Sequence, residues 1–279
     1  MRRLMWLVFF FCAAIGGTPA LGDSVAFTAS SGLVQGDALR NVCGTSNPSF
    51  TTDDLSGITS PCATAPGSVL IEMLYFQNAS RIGGTALAAY PLVRIQTGIV
   101  RNLEFVLDTP SQVAMSGEAG AGLYPTTHAG YGLNYTFASN ARSAASFGME
   151  LVPPSSRFVV DPSQSKYLLT ASYGYLIGPR TTLTASATGT LSREVGFNRI
   201  KPAATVRLAY DLSPKTQLSG DFGARIVTRG TVAQSYGDVA INQRLHKDVT
   251  FAVGLGTTFN SVSNAKAHYL ASGFNVKLR

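Results

Sequence analysis

Histidine is the residue type whose spacing most often marks a metal or catalytic site, and the chain contains three: His128, His246 and His268. A zinc peptidase site needs two histidines four residues apart on a helix, with a glutamate beside the first, and these three do not have that spacing. The sequence also lacks a G-x-S-x-G nucleophile turn and a G-x-x-x-x-G-K-[ST] phosphate loop. It therefore predicts no metal, no cofactor and no catalytic residue.

The charged side chains are the second set that could do chemistry, and they are few. Only 13% of the residues are charged, whereas 45% are hydrophobic. Arg207 and Asp211 alternate with Val206, Leu208 and Leu212. Successive side chains of a strand point to opposite faces, so this spacing separates the charges from the apolar groups. Charges on one face of a strand can form ion pairs or line a channel.

Twelve segments with this alternation follow Gly67 and are separated by turn residues. No long stretch shows a helical period, and no apolar run beyond the N-terminus reaches the roughly 18 residues of a transmembrane helix. The predicted strands are 69–77, 86–97, 102–108, 127–137, 144–152, 166–177, 181–190, 202–212, 216–226, 235–245, 249–258 and 267–278.

The connections between these strands alternate in length. Short links occur in "LIGPRTTL", "DLSPKTQL" and "RLHKDVTF", and also in "TGIVRN" and "FASNARSA". The longer connections between them are 78–85, 109–126, 153–165, 191–201, 227–234 and 259–266. Outer-membrane barrels have short periplasmic turns and longer external loops. The sequence therefore predicts an all-β fold, a transmembrane antiparallel up-and-down β-barrel of about 12 strands.

Matching the apolar faces across one short link fixes a strand register. A one-residue slip would place charges in lipid and apolar groups in the lumen. The register predicted across Ser213–Lys215 pairs Leu212 with Thr216, Tyr210 with Leu218, Val206 with Phe222 and Arg207 with Asp221.

The same alternation assigns most of the charged residues of the strands to the lumen. They are interpreted either as a salt-bridge network that braces the barrel or as a pore lining that selects solutes by charge. A barrel of about twelve strands is wider than the side-chain-filled eight-stranded kind, so we expect room for a narrow channel. The pore-lining candidates are Arg94, Glu104, Glu150, Lys166, Arg207, Asp211, Asp221, Arg225, Asp238, Arg244 and Lys277.

Aromatic residues lie preferentially near the ends of the predicted strands. Amphipathic rings favour the membrane–water boundary, which predicts aromatic girdles. The residues assigned to them are Tyr90, Tyr124, Phe137, Tyr175, Tyr210 and Tyr269.

The N-terminus has the pattern of a secretory signal peptide at residues 1–22. Arg2 and Arg3 precede the apolar run "LMWLVFFFCAAI", and small residues follow near Ala20. Removal of both arginines lowers the formal charge from +7 to +5. The remaining positive charges are scattered, which argues against binding of nucleic acid.

Residues 23–67 are expected to form a periplasmic N-terminal extension before the barrel, residues 68–279. This extension contains Cys43 and Cys62, which we expect to form a disulfide in an exported chain. The extension is a candidate plug or periplasmic lid, and the alternative is a flexible tether.

The C-terminal "ASGFNVKLR" supplies a last strand with one apolar face, formed by Phe274, Val276 and Leu278. An open sheet in lipid would leave unpaired backbone groups, so this strand must join the first. The pattern resembles the C-terminal signal that the outer-membrane insertion machinery reads. Such signals usually end on an aromatic residue, whereas this chain ends on Leu278 and Arg279.

Residues from about Ser68 onward resemble the outer-membrane transporter family named after the MetA pathway of phenol degradation. The resemblance rests on "AAYPLVRIQTGIVRNLEFVLDTP", "GYGLNYTF", "MELVPP", "LAYDLSPKTQLSGDFG" and "YLASGFNVKLR". It implies a channel in the bacterial outer membrane for small, including aromatic or hydrophobic, solutes. It supplies no catalytic residues.

Two other functions remain open from the sequence. The chain could be a barrel-type outer-membrane enzyme or a structural surface protein, with His128 or His268 near the outer rim in the enzymatic version. It could also be a secreted soluble β-sandwich with a binding role. The lipid bilayer and a small-molecule solute are the partners expected for the channel, and the oligomeric state is left open.

Overall fold

A computed structural model describes ten stretches of the chain, all within one compact unit, residues 38–279. No helix among the described residues is long and apolar enough to cross a membrane. The described stretches are 42–44, 59–80, 86–109, 112–116, 122–125, 129–153, 165–194, 197–226, 233–260 and 265–278.

Nearly all of these residues lie in antiparallel strands of one sheet, and a short 3-10 turn occupies Val42–Gly44. The strands are β1 (Val69–Ser80), β2 (Ala86–Val100), β3 (Leu103–Asp108), β4 (Gln112–Ser116), β5 (Gly122–Pro125), β6 (Gly130–Ser139), β7 (Ser143–Val152), β8 (Lys166–Gly178), β9 (Thr181–Glu194), β10 (Phe197–Ser213), β11 (Thr216–Ile226), β12 (Ala233–His246), β13 (Val249–Asn260) and β14 (Ala265–Leu278).

The sheet closes on itself because β1 pairs with both β2 and β14. The seam with β14 is continuous from Val69 opposite Leu278 to Ser80 opposite Ala267. With β4 and β5 set aside, the remaining twelve of the fourteen strands form the ring. The predicted closed antiparallel barrel is confirmed, and the two-sheet sandwich is wrong because a sandwich does not close in this way.

Two connections differ from the prediction. The predicted loop 109–126 contains the hairpin β4–β5, and β4 pairs with Ala86–Tyr90, the part of β2 beyond the reach of β3. The predicted connection 191–201 is wrong, because β9 and β10 pair as far as Glu194 and Phe197. Pro202 precedes the first β10–β11 pair, at Ala203, so its missing N–H interrupts no bond to β11.

The two faces of the sheet differ as the alternation predicts. Val206 and Phe222 are exposed on the outer face, whereas Arg207 and Asp221 are buried on the inner face. The pairs Tyr210–Leu218, Val206–Phe222 and Arg207–Asp221 all form as predicted.

The predicted pair Leu212–Thr216 does not form. Thr216 pairs with Ser213 instead, and a register shift lies between Asp211 and Ser213. The extra residue in the first strand is a β-bulge, which leaves a two-residue turn at Pro214–Lys215. The Ser213 hydroxyl accepts hydrogen bonds from the backbone N–H groups of Lys215 and Thr216 and so stabilises this turn.

All five short turns have this bulge at the same place, just before the turn. Each bulge leaves a large apolar side chain on the outer face, and we call these five residues the apolar rim. They are Ile99, Phe137, Ile177, Leu212 and Leu245, each at least half exposed.

Backbone hydrogen bonds link each short turn to the next hairpin. The backbone carbonyl of Arg142 accepts a hydrogen bond from the N–H of Leu176, and the carbonyl of Arg180 accepts one from the N–H of Asp211. The other three bonds of this kind run from the N–H of Thr136 to the carbonyl of Asn102, from Arg244 to Lys215 and from Lys277 to Asp248. The Ser68 carbonyl accepts from Gly98 and continues this series at β2. The short turns therefore occupy fixed, equivalent positions around one end of the barrel.

Replacement of Phe222 by arginine tests the outer face. Arginine on a lipid-facing site near the midplane costs about 2–4 kcal/mol, and near the interface about 0–1 kcal/mol. We expect Phe222→Arg to lower the free energy of unfolding by the larger amount and Leu212→Arg, in the apolar rim, by the smaller. Denaturant titrations in lipid vesicles measure both, and equal losses would contradict the orientation.

Candidate functional site

The inner wall of the barrel is a continuous polar surface on the described strands, which makes it the candidate site. Its side chains are mainly small hydroxyl and amide groups, with a few charges, and most are buried. The buried polar members in the strands are Glu72, Gln96, Glu104, Asn134, Thr136, Ser146, Ser172, Thr182, Thr184, Ser186, Thr205, Arg207, Gln217, Ser219, Asp221 and Asn242.

One charged cluster lies on β10, β11 and β12 around Arg207. Its guanidinium donates from Nε and Nη2 to the two carboxylate oxygens of Asp221, each at 2.8 Å. The side chains of Arg207 and Asp221 are only 4% and 0% exposed. The two charge-assisted hydrogen bonds of this bidentate pair are strong. Loss of either partner would leave a buried charge uncompensated.

A second carboxylate faces the same cluster. Asp238 lies directly opposite Asp221 in the register, and its Oδ2 accepts a 2.5 Å hydrogen bond from the Tyr269 hydroxyl on β14. Tyr236 reaches across Gly223 to contact the Thr205 hydroxyl, and a Cβ at Gly223 would overlap the Tyr236 ring. Two tyrosines therefore bring hydroxyl groups to this wall.

The other charged cluster is centred on Arg94 of β2. Its Nε and Nη2 donate to the two carboxylate oxygens of Asp108, both at 2.7 Å, and Nη2 also lies 3.2 Å from Glu150 Oε2. Glu150 comes from β7, so its side chain must pass β6. Gly130 on β6 leaves the space, since a Cβ there would overlap Glu150 Oε1.

The two clusters lie on opposite sides of the twelve-stranded ring, one on β2, β3 and β7 and the other on β10 to β12. Between them, a row of hydroxyl groups crosses four strands in register: Ser146 opposite Ser172, Ser172 opposite Ser186, and Ser186 opposite Thr205. The Ser172 hydroxyl donates to that of Ser186 at 3.2 Å. This part of the wall offers hydrogen bonds without charge.

The charges in the middle of the described lumen are mostly acidic. Arg94 and Arg207 are the basic members at this level, whereas the acids of both clusters are joined by Glu72 and Glu104. The middle of the described inner wall is therefore acidic although the whole chain carries a formal charge of +7.

Part of the N-terminal region lies against the inner wall near the short turns. The Ala63 N–H donates to Thr136 Oγ1 at 2.7 Å, the Thr64 N–H donates to Glu104 Oε2 at 2.6 Å, and Ser146 Oγ donates to the Ser60 carbonyl at 3.2 Å. We call residues 59–67 the inner segment. It lines β2, β3, β6 and β7 from within the barrel.

The disulfide between Cys43 and Cys62 ties this inner segment to the turn at 42–44. Val42 and Cys62 are buried against Ala144, with Leu176 beside them. The Val42 N–H donates to the Asn140 carbonyl in the β6–β7 turn at 3.0 Å.

Gly98 provides the close approach of the inner segment to β2. A Cβ there would overlap the carbonyls of Thr64 and Ala65. A side chain at this position would therefore push residues 64–65 away from the wall.

The structure places most of the predicted pore-lining residues on the inner face. Asp211 accepts from Gln217 Nε2 at 2.7 Å. Arg244 and Lys277 alternate with the inward Asn242 and Gly273 nearer the short turns, and Lys166 is exposed at the opposite end of β8. The backbone of Arg225 pairs with Ala203, but its side chain lies outside the described set. Their role in lining a pore stays a prediction.

The sequence assignments missed several residues of this wall. Asp108 and Glu72 have the same alternation as Glu104 and Leu70, and that signal could have found them. Tyr269 was assigned to an aromatic girdle, but it is buried on the inner face and bonded to Asp238. Its alternation with the buried Ala271 gives its direction, whereas position near a strand end does not.

The two histidines that the structure describes are not brought into one site. His268 is exposed on β14, opposite Ala79 and Thr257, and His246 lies 4.0 Å from Asp248 beside a short turn. His128 lies outside the described residues. Within the described part of the chain, no three His, Cys, Asp or Glu side chains are grouped to hold a metal ion.

The fold is similar to that of several solved outer-membrane proteins. An outer-membrane channel from Pseudomonas putida F1 superposes with a TM-score of 0.58 at 12% identity, over 81% of this chain and 100% of the other. The KdgM porin in complex with disordered oligogalacturonate superposes with a TM-score of 0.51 at 10% identity, over 75% of this chain and 99% of the other. At these identities the likeness shows the fold alone.

Neither a protein-family model nor a curated protein sequence matches the chain. The fold similarity therefore supports the barrel fold without assigning a family.

A double-mutant cycle on Arg207 and Asp221 tests whether the buried pair acts as a unit. We expect Arg207→Ala and Asp221→Ala each to cost about 3–5 kcal/mol, because each leaves a buried charge unpaired. The double variant should cost far less than the sum, which denaturant titrations in vesicles measure.

The pair Arg94 and Asp108 is the matched control, since its side chains are 26% and 27% exposed. Water can solvate the charge that remains after a single substitution, so the interaction energy should be smaller. Simple additivity at Arg207 and Asp221 would contradict the assigned pairing.

Proposed function

We propose that the chain is an outer-membrane channel that passes small polar solutes and is gated at its short-turn end. One observation carries this proposal: a closed barrel exposes large apolar side chains outward and encloses a polar, charged wall. In a bilayer the apolar outer face contacts the lipid chains. The inner wall provides a path for polar solutes, which the hydrocarbon core of the bilayer excludes.

The chemistry of the wall narrows the solute class. Hydroxyl groups on β7 to β10 can exchange hydrogen bonds with a passing solute, and the acidic charges favour cations over anions. The resemblance to the MetA-pathway transporters adds aromatic solutes. Compounds that carry a polar group on an aromatic ring meet both criteria, the hydrogen bonding and the aromatic character. Tyr236 and Tyr269 lie beside Asp238, so aromatic rings and a carboxylate are available together on the wall.

Closure at the short-turn end gives the channel a gate. Ala144, Thr182, Ala209 and Ser219 are all 1% exposed, so neighbouring groups cover the inner wall at these positions. The inner segment contributes to closure on the β2–β7 side. We assign it as a plug, held by the disulfide and by Glu104.

The remaining parts of the chain follow from this location. Residues 1–22 serve as the signal peptide, residues 23–67 form the periplasmic extension that ends in the inner segment, and residues 68–279 form the barrel. The outer-membrane insertion machinery and the lipid bilayer are its partners. An enzymatic or purely structural barrel would not need a removable plug, so the next experiment separates these functions.

Displacement of the inner segment should open the channel. We expect the chain to insert into planar bilayers with small, infrequent conductance steps, and Gly98→Leu to raise the frequency of open events at least several-fold, because the new side chain displaces residues 64–65. Reduction of the disulfide should act in the same direction.

Gly220→Leu is the matched control. A Cβ at Gly220 meets its nearest atom, the Asp238 carbonyl, at 3.8 Å, and the inner segment is not involved. A folded Gly98→Leu variant with unchanged conductance would rule out the plug. If both variants insert into the bilayer and neither conducts, the chain is not a channel.

Ion selectivity tests the acidic lumen. We expect the opened channel to prefer K⁺ over Cl⁻ in a salt gradient, and Asp238→Asn to reduce this preference, because it removes one lumenal negative charge. The reversal potential measures both. Lys247→Gln, on an exposed turn, should leave the reversal potential unchanged, and an anion preference in the parent channel would contradict the assignment.

A further inference from the structure

The short-turn end carries a repeated pair of residue types that the channel function does not use. Each of the five short turns contains one exposed basic residue: Arg101, Arg142, Arg180, Lys215 and Lys247. Each basic residue follows an outward residue of the apolar rim by two to five positions. We call these five residues the basic rim.

The fold fixes the basic rim in space. Each turn has the same bulge, and a carbonyl of each turn accepts a hydrogen bond from a backbone N–H of the next hairpin, so the turns are equivalent around the barrel end. Successive turns are two strands apart, which corresponds to about 10 Å. The basic residues therefore form a ring, and the apolar rim lies on the membrane side of it.

Local charges distinguish the members of this ring. Lys247 lies 3.8 Å from Asp248 of its own turn, so part of its charge is compensated. Arg142, Arg180 and Lys215 lie on three consecutive turns, where the turn residues Asn140, Ala141, Pro179 and Pro214 are uncharged. None of these three turns contains an acidic residue, and we call Arg142, Arg180 and Lys215 the basic arc.

We propose that this arc binds the headgroups of anionic phospholipids in the periplasmic leaflet. Long basic side chains at a membrane boundary reach the phosphate level while their stems stay against apolar surface. A phosphate that accepts hydrogen bonds from arginine gains a charge-assisted contact. The apolar rim beside each base contacts the acyl chains of the same lipid, so the site matches both parts of one molecule.

The inference rests on the proposed function, because it requires the short turns to lie at a lipid boundary. It goes further by naming a lipid class and three residues. Membrane insertion and lipid preference are measured separately, so failure of one is distinguishable from failure of the other.

The test uses the folded full-length barrel purified in detergent and supplied with equal amounts of phosphatidylglycerol and phosphatidylcholine of identical acyl chains. Native mass spectrometry counts the lipids retained. We expect the parent protein to retain phosphatidylglycerol in preference to phosphatidylcholine. The triple variant Arg142→Gln, Arg180→Gln and Lys215→Gln should lose this preference by about fivefold for each of the three bases removed. Lys166→Gln, at the opposite end of β8, is the control and should retain the preference.

A salt titration of the parent protein gives an independent result if the triple variant does not fold. Raised ionic strength should abolish the preference, because exposed charges are screened. Equal retention of the two lipids by a barrel that inserts normally into bilayers would overturn the proposal. So would an undiminished preference in the folded triple variant, and the basic rim would then face an aqueous acidic partner.

Discussion

Backbone hydrogen bonding in lipid is the constraint on which the rest of this structure depends. A bilayer offers no water to an unpaired N–H or C=O group, so a sheet that spans it must have no free edge. The seam between β1 and β14 meets this requirement along the whole of β1. The hydrogen bonds between each short turn and the next hairpin also pair backbone groups at the end of the barrel. Closure in turn creates an inner wall, and the inner wall creates the site.

Once the barrel is closed, its few charges are sorted by position. Arg94 and Arg207, in the middle of the described lumen, are each held by carboxylates, and acids are in excess at this level. The basic residues of the short turns lie outside, at the end of the barrel. One chain thus encloses an acidic surface in the middle of its lumen and carries a ring of basic residues at the short-turn end. The net charge of the whole sequence describes neither surface.

The twelve strands of the ring, their order and the Arg207–Asp221 pairing could be predicted from sequence, because lipid on one side and water on the other impose a period of two. The bulges could not, since a single extra residue keeps the outer register and only shortens the turn, as at Leu212. The assignment of Tyr269 to an aromatic girdle was wrong because its aromatic type suggested the membrane boundary. Its hydrogen-bond partner, Asp238, lies on a strand that is distant in sequence. Contacts of the inner segment, such as Thr64 with Glu104, join residues that no periodic pattern relates.

Cross-linking of the seam tests the central claim most directly. Met73 and Phe274 are directly opposite each other on the outer face of β1 and β14. In a chain with Cys43 and Cys62 replaced by serine, oxidation of Met73→Cys with Phe274→Cys should give an intramolecular disulfide that changes the mobility of the boiled protein without reductant. The pair Met73→Cys with Val276→Cys, two residues out of register, should link far less. A closed barrel predicts this difference, whereas no link, or links only between separate chains, would contradict it.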